Sequence, residues 1–307
     1  MKFSEIPIVD IILDLSKKYS VPGFSGIPIY DVVLFIYNES MKDDIITRAN
    51  SVAFNFFISL FPSLIFLFTL LPLLPITADY LTIFRESTDG ILPEQAHTYL
   101  FSVIEDLASI KRGGLQSVSF LFAIIFSSSG MVTLMYGFHK SYQRVFKKRS
   151  YVKNRLVAIF LTLLFVILFI ASMLMIIFGK PLLQLVLDKT HLIQYSGSVT
   201  QVLKWLVVTS LVYVGITLIY RYGSAMRERI KWLNSGAILA TGVSIFTSII
   251  FAFFINNFGK YNEIYGSIGA LLVLLLWIQI NALIVLIGFE LNASIAVNKD
   301  RIISQKK

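Results

Sequence analysis

The 307-residue sequence contains no cysteine, which excludes disulfides, thiolate metal sites, iron–sulfur ligation and a cysteine nucleophile together. Histidine is scarce, with only His97, His139 and His191. Charge is scarce too: 15% of residues are charged and 56% are apolar, against about 25% and 45–50% in an ordinary soluble chain. Mean hydropathy is +0.75. This composition excludes a disordered chain and argues against a soluble enzyme. There is no nucleotide-binding glycine loop and no serine nucleophile elbow. The opening stretch, MKFSEIPIVDIILDL, has acids inside its apolar run, so no signal-peptide cleavage is expected. Acidic charge is the rarer sign, 18 Asp and Glu against 27 Lys and Arg. A basic excess points either to nucleic acid or to the cytoplasmic loops of a membrane protein, and the position of the charges decides between them.

What is abundant is long apolar sequence. A helix needs roughly 20 mostly apolar residues to cross the hydrocarbon core. Six stretches qualify, near 52–76, 116–138, 156–179, 202–220, 235–258 and 268–297. Only Lys204 and Glu290 bring charge into them, both near ends. Six such stretches in a soluble protein would leave too little polar surface to cover them.

Twenty Lys and Arg residues fall in the N-terminal region, the loops after the second and fourth spans, and the C-terminus; six fall on the other side. The positive-inside rule then places both termini in the cytoplasm. The cluster HKSYQRVFKKRSYVKNR reads as a juxtamembrane loop facing anionic lipid headgroups, with no recognition fold around it, so no nucleic acid is expected as a partner.

The expected fold is all-α: a polytopic membrane protein with six transmembrane helices, cytoplasmic amphipathic N-terminal helices and an outer-loop helix. Residues 1–50 form the cytoplasmic region, 51–297 the membrane domain and 298–307 a basic tail. Ile8, Ile11, Ile12, Leu15 and Tyr19 recur at helical spacing; VPGFSGIP interrupts them, and a second helical stretch from about Tyr30 leads into the first span. In the first outer loop Pro93 suits the first position of a helix, and Ala96, Leu100, Val103, Leu107 and Ile110 form its apolar stripe. This helix either lids a cavity or packs on the bundle. The loop NNFGKYNEIYGSIG between spans five and six is tight.

Several intramembrane residues stand out. Span five carries Gly236, Ala240, Ser244, Ser248, Ala252 and Asn256 four apart, a row that lets helix backbones approach closely. Span two has Ser127, Ser128, Ser129 and Gly130 in succession. In span one Asn55, Ser59 and Ser63 form a polar stripe, while Pro62, Pro72 and Pro75 predict a kink and an early end. In span six Gln279, Asn281, Glu290 and Asn292 are costly in lipid and should face the bundle interior or water. Gln279 and Glu290 are about three turns apart and share a face. Trp277 falls near mid-depth, where packing against another helix is its first reading. For Glu290 the first reading is a salt bridge to a loop Arg or Lys, with proton coupling as the alternative.

Three segments resemble the YihY/BrkB family of bacterial inner-membrane proteins: AFNFFISLFPSLIFL, the SSSG segment with its basic loop, and YNEIYGSIGALLVLLLWIQINALIVLIGFELNASI. The last matches a Tyr-Asn-x-x-Tyr-Gly-Ser signature at Tyr261, Asn262, Tyr265, Gly266 and Ser267, then Leu-Trp at Trp277 and Gly-x-Glu-Leu-Asn from Gly288. Asn55 and Phe56 depart from the family's Ala-Tyr pattern. The resemblance implies a six-helix inner-membrane protein connected with envelope integrity and supplies no established reaction.

The family has carried a ribonuclease label. A metal-dependent nuclease needs clustered His and carboxylates, whereas the topology puts His97 and His191 outside and His139 inside. The expectation is therefore no enzyme and no cofactor. Two roles are expected to compete: a protein that moves or accommodates an amphipathic envelope component, with membrane lipids as partners, and a scaffold whose polar residues serve helix packing. A homo-oligomer is compatible with either.

Overall fold

A computed structural model describes residues 15–20, 26–42, 44–70, 82, 85, 101–102, 116–139, 142, 144–190, 196–257 and 259–305. Within its helices, the side chains of residues 254–270 are among those outside the description. The described residues are helical apart from short connections. In order, the helices are α1 (Ile29–Lys42), α2 (Ile45–Leu70), α3 (Gln116–Gly137), α4 (Tyr151–Thr190), α5 (Ser196–Leu218) with a π-helical turn at Ile219–Gly223, α6 (Ser235–Asn257) and α7 (Gly259–Gln305).

Four of these contain segments long and apolar enough to cross a membrane by length and composition: Tyr151–Ser172, Trp205–Gly223, Ser235–Phe253 and Leu271–Gln305. The expected spans at 52–76 and 116–138 fall on α2 and α3, and α3 contributes a shorter apolar segment, Ile124–Gly137. Residues 71–76 lie outside the described ones, as do residues 1–14 and nearly all of the outer-loop helix expected around 93–110. The second N-terminal helix is α1. Before it, Gly26 takes a positive φ of 80°, which suits a residue without a Cβ, and turns the chain so that Ile27 is buried.

Two boundaries differ from the sequence expectation. α2 begins at Ile45, ahead of the apolar run, because Asp44 accepts hydrogen bonds from the Thr47 backbone N–H and hydroxyl and so closes the first turn. Those bonds hold the Asp44 carboxyl below its ordinary value. The loop expected over 256–269 is almost entirely helix: α6 ends at Asn257 and α7 starts at Gly259. Gly266 and Gly269 weaken a helix, but no proline interrupts it, and a continuous helix keeps its backbone hydrogen bonds satisfied. α7 has 47 residues, about 70 Å at 1.5 Å per residue, more than twice the roughly 30 Å hydrocarbon thickness.

The chain divides into two compact units. The first comprises Met1–Phe57, Val132–Val157 and Ile216–Lys307. Here α7 packs against α6 and α1, with Ile27, Val32, Leu291 and Ile295 forming a small apolar cluster. The second comprises Ile58–Met131 and Ala158–Gly215. In it α4 and α5 approach closely, since a Cβ on Gly215 would lie 3.3 Å from the Phe165 ring.

Candidate functional site

The densest polar chemistry of the first unit gathers where α7 carries Gly288-Phe289-Glu290-Leu291-Asn292. Successive helical residues are about 100° apart, so five in a row face every direction. All five are buried, and each meets different chemistry.

Gly288 makes room. A Cβ there would meet the Tyr220 hydroxyl, lie 2.7 Å from the Gly236 carbonyl oxygen and 2.9 Å from the Ala240 Cβ. Conversely, a Cβ on Gly236 would meet the Gly288 carbonyl oxygen. The first two members of the small-residue row of α6, Gly236 and Ala240, therefore pack closely on α7. The Tyr220 hydroxyl fills the remaining space and donates to the Val285 carbonyl at 2.7 Å. Phe289 lies in an aromatic cluster, with ring centroids 4.3 Å from Phe138, 6.0 Å from Tyr220 and 6.3 Å from Phe146.

Glu290 is 1% exposed and pairs at 3.0 Å with the guanidinium of Arg48, itself 18% exposed. Arg48 also donates to the Gly137 carbonyl at 2.7 Å, so one side chain ties α2 to α3 and α7. The partner of Glu290 thus comes from a helix and not from a loop. Leu291 joins Ile27 and Val32 at the base of α1. Asn292 completes the set by capping α6. Its Oδ1 accepts from the Gly236 N–H at 3.0 Å, and its amide donates to Asn234 Oδ1 at 2.9 Å, which also accepts from the Ala237 N–H at 2.8 Å. The first N–H groups of a helix have no partner within it; the two asparagines satisfy two of them without water.

Further along α7 a second polar group is more open. Gln279 donates to the Asn50 side chain of α2 at 2.7 Å. The Trp277 indole donates to Ser248 of α6 at 3.3 Å, and Asn281 donates back to the Trp277 carbonyl. Trp277 is 36% exposed and Asn50 is exposed. Gln279 and Glu290 both turn to α2, where their partners are two residues apart.

Other expected residues make bonds within their own helices. Asn55 donates to the Ser51 carbonyl and Ser63 to that of Ser59. Pro62 lies inside α2, which continues to Leu70. In the second unit Ser59, Ser128 and Gly130 are buried, and Ser128 donates to the Ile125 carbonyl at 2.8 Å. Tyr261, Asn262, Tyr265, Gly266 and Ser267 are on the helical backbone of α7, with side chains outside the described ones.

Sequence reasoning passed over Arg48, Asn50, Arg149 and Asn234. Asn234 had a readable signal, an N-cap residue directly before an apolar helix; Arg48 and Arg149 had none, since their partners are remote in sequence. The Arg149 guanidinium donates to the carbonyls of Tyr222, Gly223 and Ser224 at 3.0, 3.1 and 2.6 Å. It thereby satisfies carbonyls at the end of the π-helical turn with a cation on the favourable side of the helix dipole. Burial pulls its pKa below the usual arginine value.

Membrane-length apolar helices joined through buried polar contacts define a helical integral membrane protein among the described residues. Comparison with known proteins narrows this. Residues 36–307 match the family described as Virulence factor BrkB, and the chain belongs to that family. It is 28% identical to a ribonuclease-like protein, YfkH, of Bacillus subtilis over 251 residues, covering 80% of this chain and 88% of the relative. It is 22% identical to a UPF0761 membrane protein of Psychromonas ingrahamii, covering 87% and 88%. A UPF0761 membrane protein of Xanthomonas campestris is 37% identical over 84 residues, 27% of this chain and 20% of that one. No solved structure matches the chain significantly.

Proposed function

We propose that this BrkB-family protein is a six-span inner-membrane protein with both termini in the cytoplasm, connected with envelope integrity, which accommodates or moves a lipid or another amphipathic envelope component. One observation carries the reading: on α7, within the apolar segment Leu271–Gln305, hydrogen-bonding side chains stay part-exposed. Gln279 with Asn50, and Trp277 with Ser248, offer amide, indole and hydroxyl groups, three of the four residues lying in segments long and apolar enough to cross a membrane. A bundle built only for packing gains nothing from exposed amides there, because desolvated polar groups are costly in lipid. The concentration of twenty basic residues on one side supports the orientation.

A scaffold role is the second reading, favoured by the close contact of Gly236 with Gly288. A ribonuclease is the weakest: it rests on the family's ribonuclease label and the ribonuclease-like name of the Bacillus subtilis relative, and among the described residues no three His, Asp or Glu side chains cluster to hold a metal. The function proposed is not enzymatic.

Reconstitution with labelled lipids tests the reading. The intact protein should accelerate lipid movement over empty vesicles, and Gln279→Leu should reduce the gain. Movement no faster than in empty vesicles rejects transport and leaves the scaffold; RNA cleavage by purified protein, abolished by a point substitution, would instead establish the nuclease.

A further inference from the structure

Residues 224–234 connect two membrane-length segments, Trp205–Gly223 and Ser235–Phe253, and so lie at a membrane–water boundary. They are held from the inside. Arg149 grips the carbonyls of Tyr222, Gly223 and Ser224. Met226 pairs antiparallel with Phe146, with 2.9 Å bonds from the Lys147 N–H to the Ala225 carbonyl and from the Arg227 N–H to the Val145 carbonyl. Ile230 is buried, and its carbonyl accepts from Arg221 at 2.6 Å.

With Ile230 turned inward, its neighbours Arg229 and Lys231 are exposed, and the chain then presents Trp232 and Leu233 at 51% and 77% exposure. Leu233 is the informative residue. A leucine this open beside water loses the benefit of burial, yet directly before a span it is at the depth where apolar side chains enter the headgroup region. Trp232 is suited to the same zone, its ring held under the Arg221 guanidinium at 5.3 Å. Arg229 is 5.6 Å from the Tyr222 ring centroid, which fixes its guanidinium close to the same surface. By contrast Arg149, from the densest basic stretch of the sequence, is turned inward onto backbone carbonyls.

We propose that residues 229–233 form a binding site for an anionic phospholipid headgroup: Trp232 and Leu233 enter the interfacial region of the leaflet, and Arg229 and Lys231 take the phosphate and its net negative charge. The arginine fork and the lysine point charge are complementary ways of holding phosphate oxygens. A backbone fixed by Arg149, Arg221 and the pairing at Met226 presents them without a backbone ordering cost, leaving only side-chain ordering to be met at binding. The site goes beyond the transport reading, since a scaffold would use it equally well.

The absence of cysteine allows a direct test. Leu233→Cys, labelled with an NBD fluorophore in the full chain, is reconstituted with equal mole fractions of spin-labelled phosphatidylglycerol or spin-labelled phosphatidylcholine. Both lipids should quench, with the relative association constant read from the quenching favouring phosphatidylglycerol by about fivefold per engaged cation at low salt and the preference shrinking as salt rises. Arg229→Gln together with Lys231→Gln should bring the two lipids to parity while quenching by phosphatidylcholine persists. Equal quenching in the parent protein, no quenching by either lipid, a preference retained in the double variant, or its loss to inorganic phosphate at constant ionic strength each overturns the proposal. Lipid flux is measured separately, so failure of one reading is distinguishable from failure of the other.

Discussion

Removing one partner of the Arg48–Glu290 pair should harm the protein far more than removing both. The contact is 3.0 Å, and Glu290 is 1% exposed against 18% for Arg48. With charge centres ~4 Å apart and an effective dielectric of about 20, the attraction is about 4 kcal/mol before desolvation is subtracted. Desolvation consumes much of that in the native protein, so the net value of the pair is small. Breaking such a pair typically costs about 3–5 kcal/mol, because the remaining charge stays buried. The two ends are unequal. Arg48→Met leaves the Glu290 carboxylate in the interior without its guanidinium and also removes the donor to the Gly137 carbonyl. Glu290→Gln leaves Arg48 with that carbonyl and some solvent. Arg48→Met should therefore cost the more of the two, near the top of the range, and Glu290→Gln near the bottom. The combined Arg48→Met and Glu290→Leu variant should recover most of the loss. The assay is equilibrium unfolding in mixed detergent micelles, arranged as a double-mutant cycle. Single losses below about 1 kcal/mol, or additivity within about 0.5 kcal/mol, would refute the reasoning.

Three further outcomes are expected. Gly288→Ala should destabilise by about 1–3 kcal/mol through overpacking against Tyr220, Gly236 and Ala240, whereas Gly242→Ala, where nothing lies within 4 Å of the new Cβ, should be neutral or slightly stabilising; thermal unfolding of the two variants separates site from residue type. Arg149→Lys should fail to replace arginine, since an ammonium cannot reproduce a planar fork serving three carbonyls, and a drop in melting temperature close to that of Arg149→Ala is the expected reading. Asp44 has a folded pKa below its unfolded one, so its contribution is complete above the ordinary carboxylate value of about 4 and is lost as pH falls through the lower folded value. Acid titration of stability should be shallower in Asp44→Asn than in the parent, and identical slopes would count against the cap.

The helices were readable because their signal is local. Long apolar runs declare themselves in composition, and the four-residue spacing of Gly236, Ala240 and Ser244 announces a close helix contact before any partner is known. The partners were not readable. Arg48 is 242 positions from Glu290 in sequence, and Asn292 is 56 from the Gly236 N–H that it caps; no periodicity encodes either distance. Arg48 also belonged to a stretch whose charges were expected in the cytoplasm, and only the early start of α2 carries it into the bundle. The loop expected over 256–269 misled for the opposite reason. Polar residues and glycines normally mark turns, but the hydrogen bonds of a continuous helix outweigh those weak local preferences. Serines at 127–129 illustrate an ambiguity that sequence cannot resolve, because a hydroxyl can bond back to its own helix and needs neither water nor a neighbour.

The run Gly288–Asn292 leaves α7 with a single rotational setting. Turning the helix by one residue would put a phenylalanine against the Gly236 backbone, a glutamate among the rings and a leucine against Arg48, losing five contacts at once. At this level α7 cannot roll to expose a new face, as a gating helix often does. Any change of state that uses it must carry α1, the start of α2 and the start of α6 with it as one body. Freedom to rearrange is left to the stretch near Trp277 and Gln279, where the side chains of Leu271, Leu272, Leu276 and Trp277 are exposed.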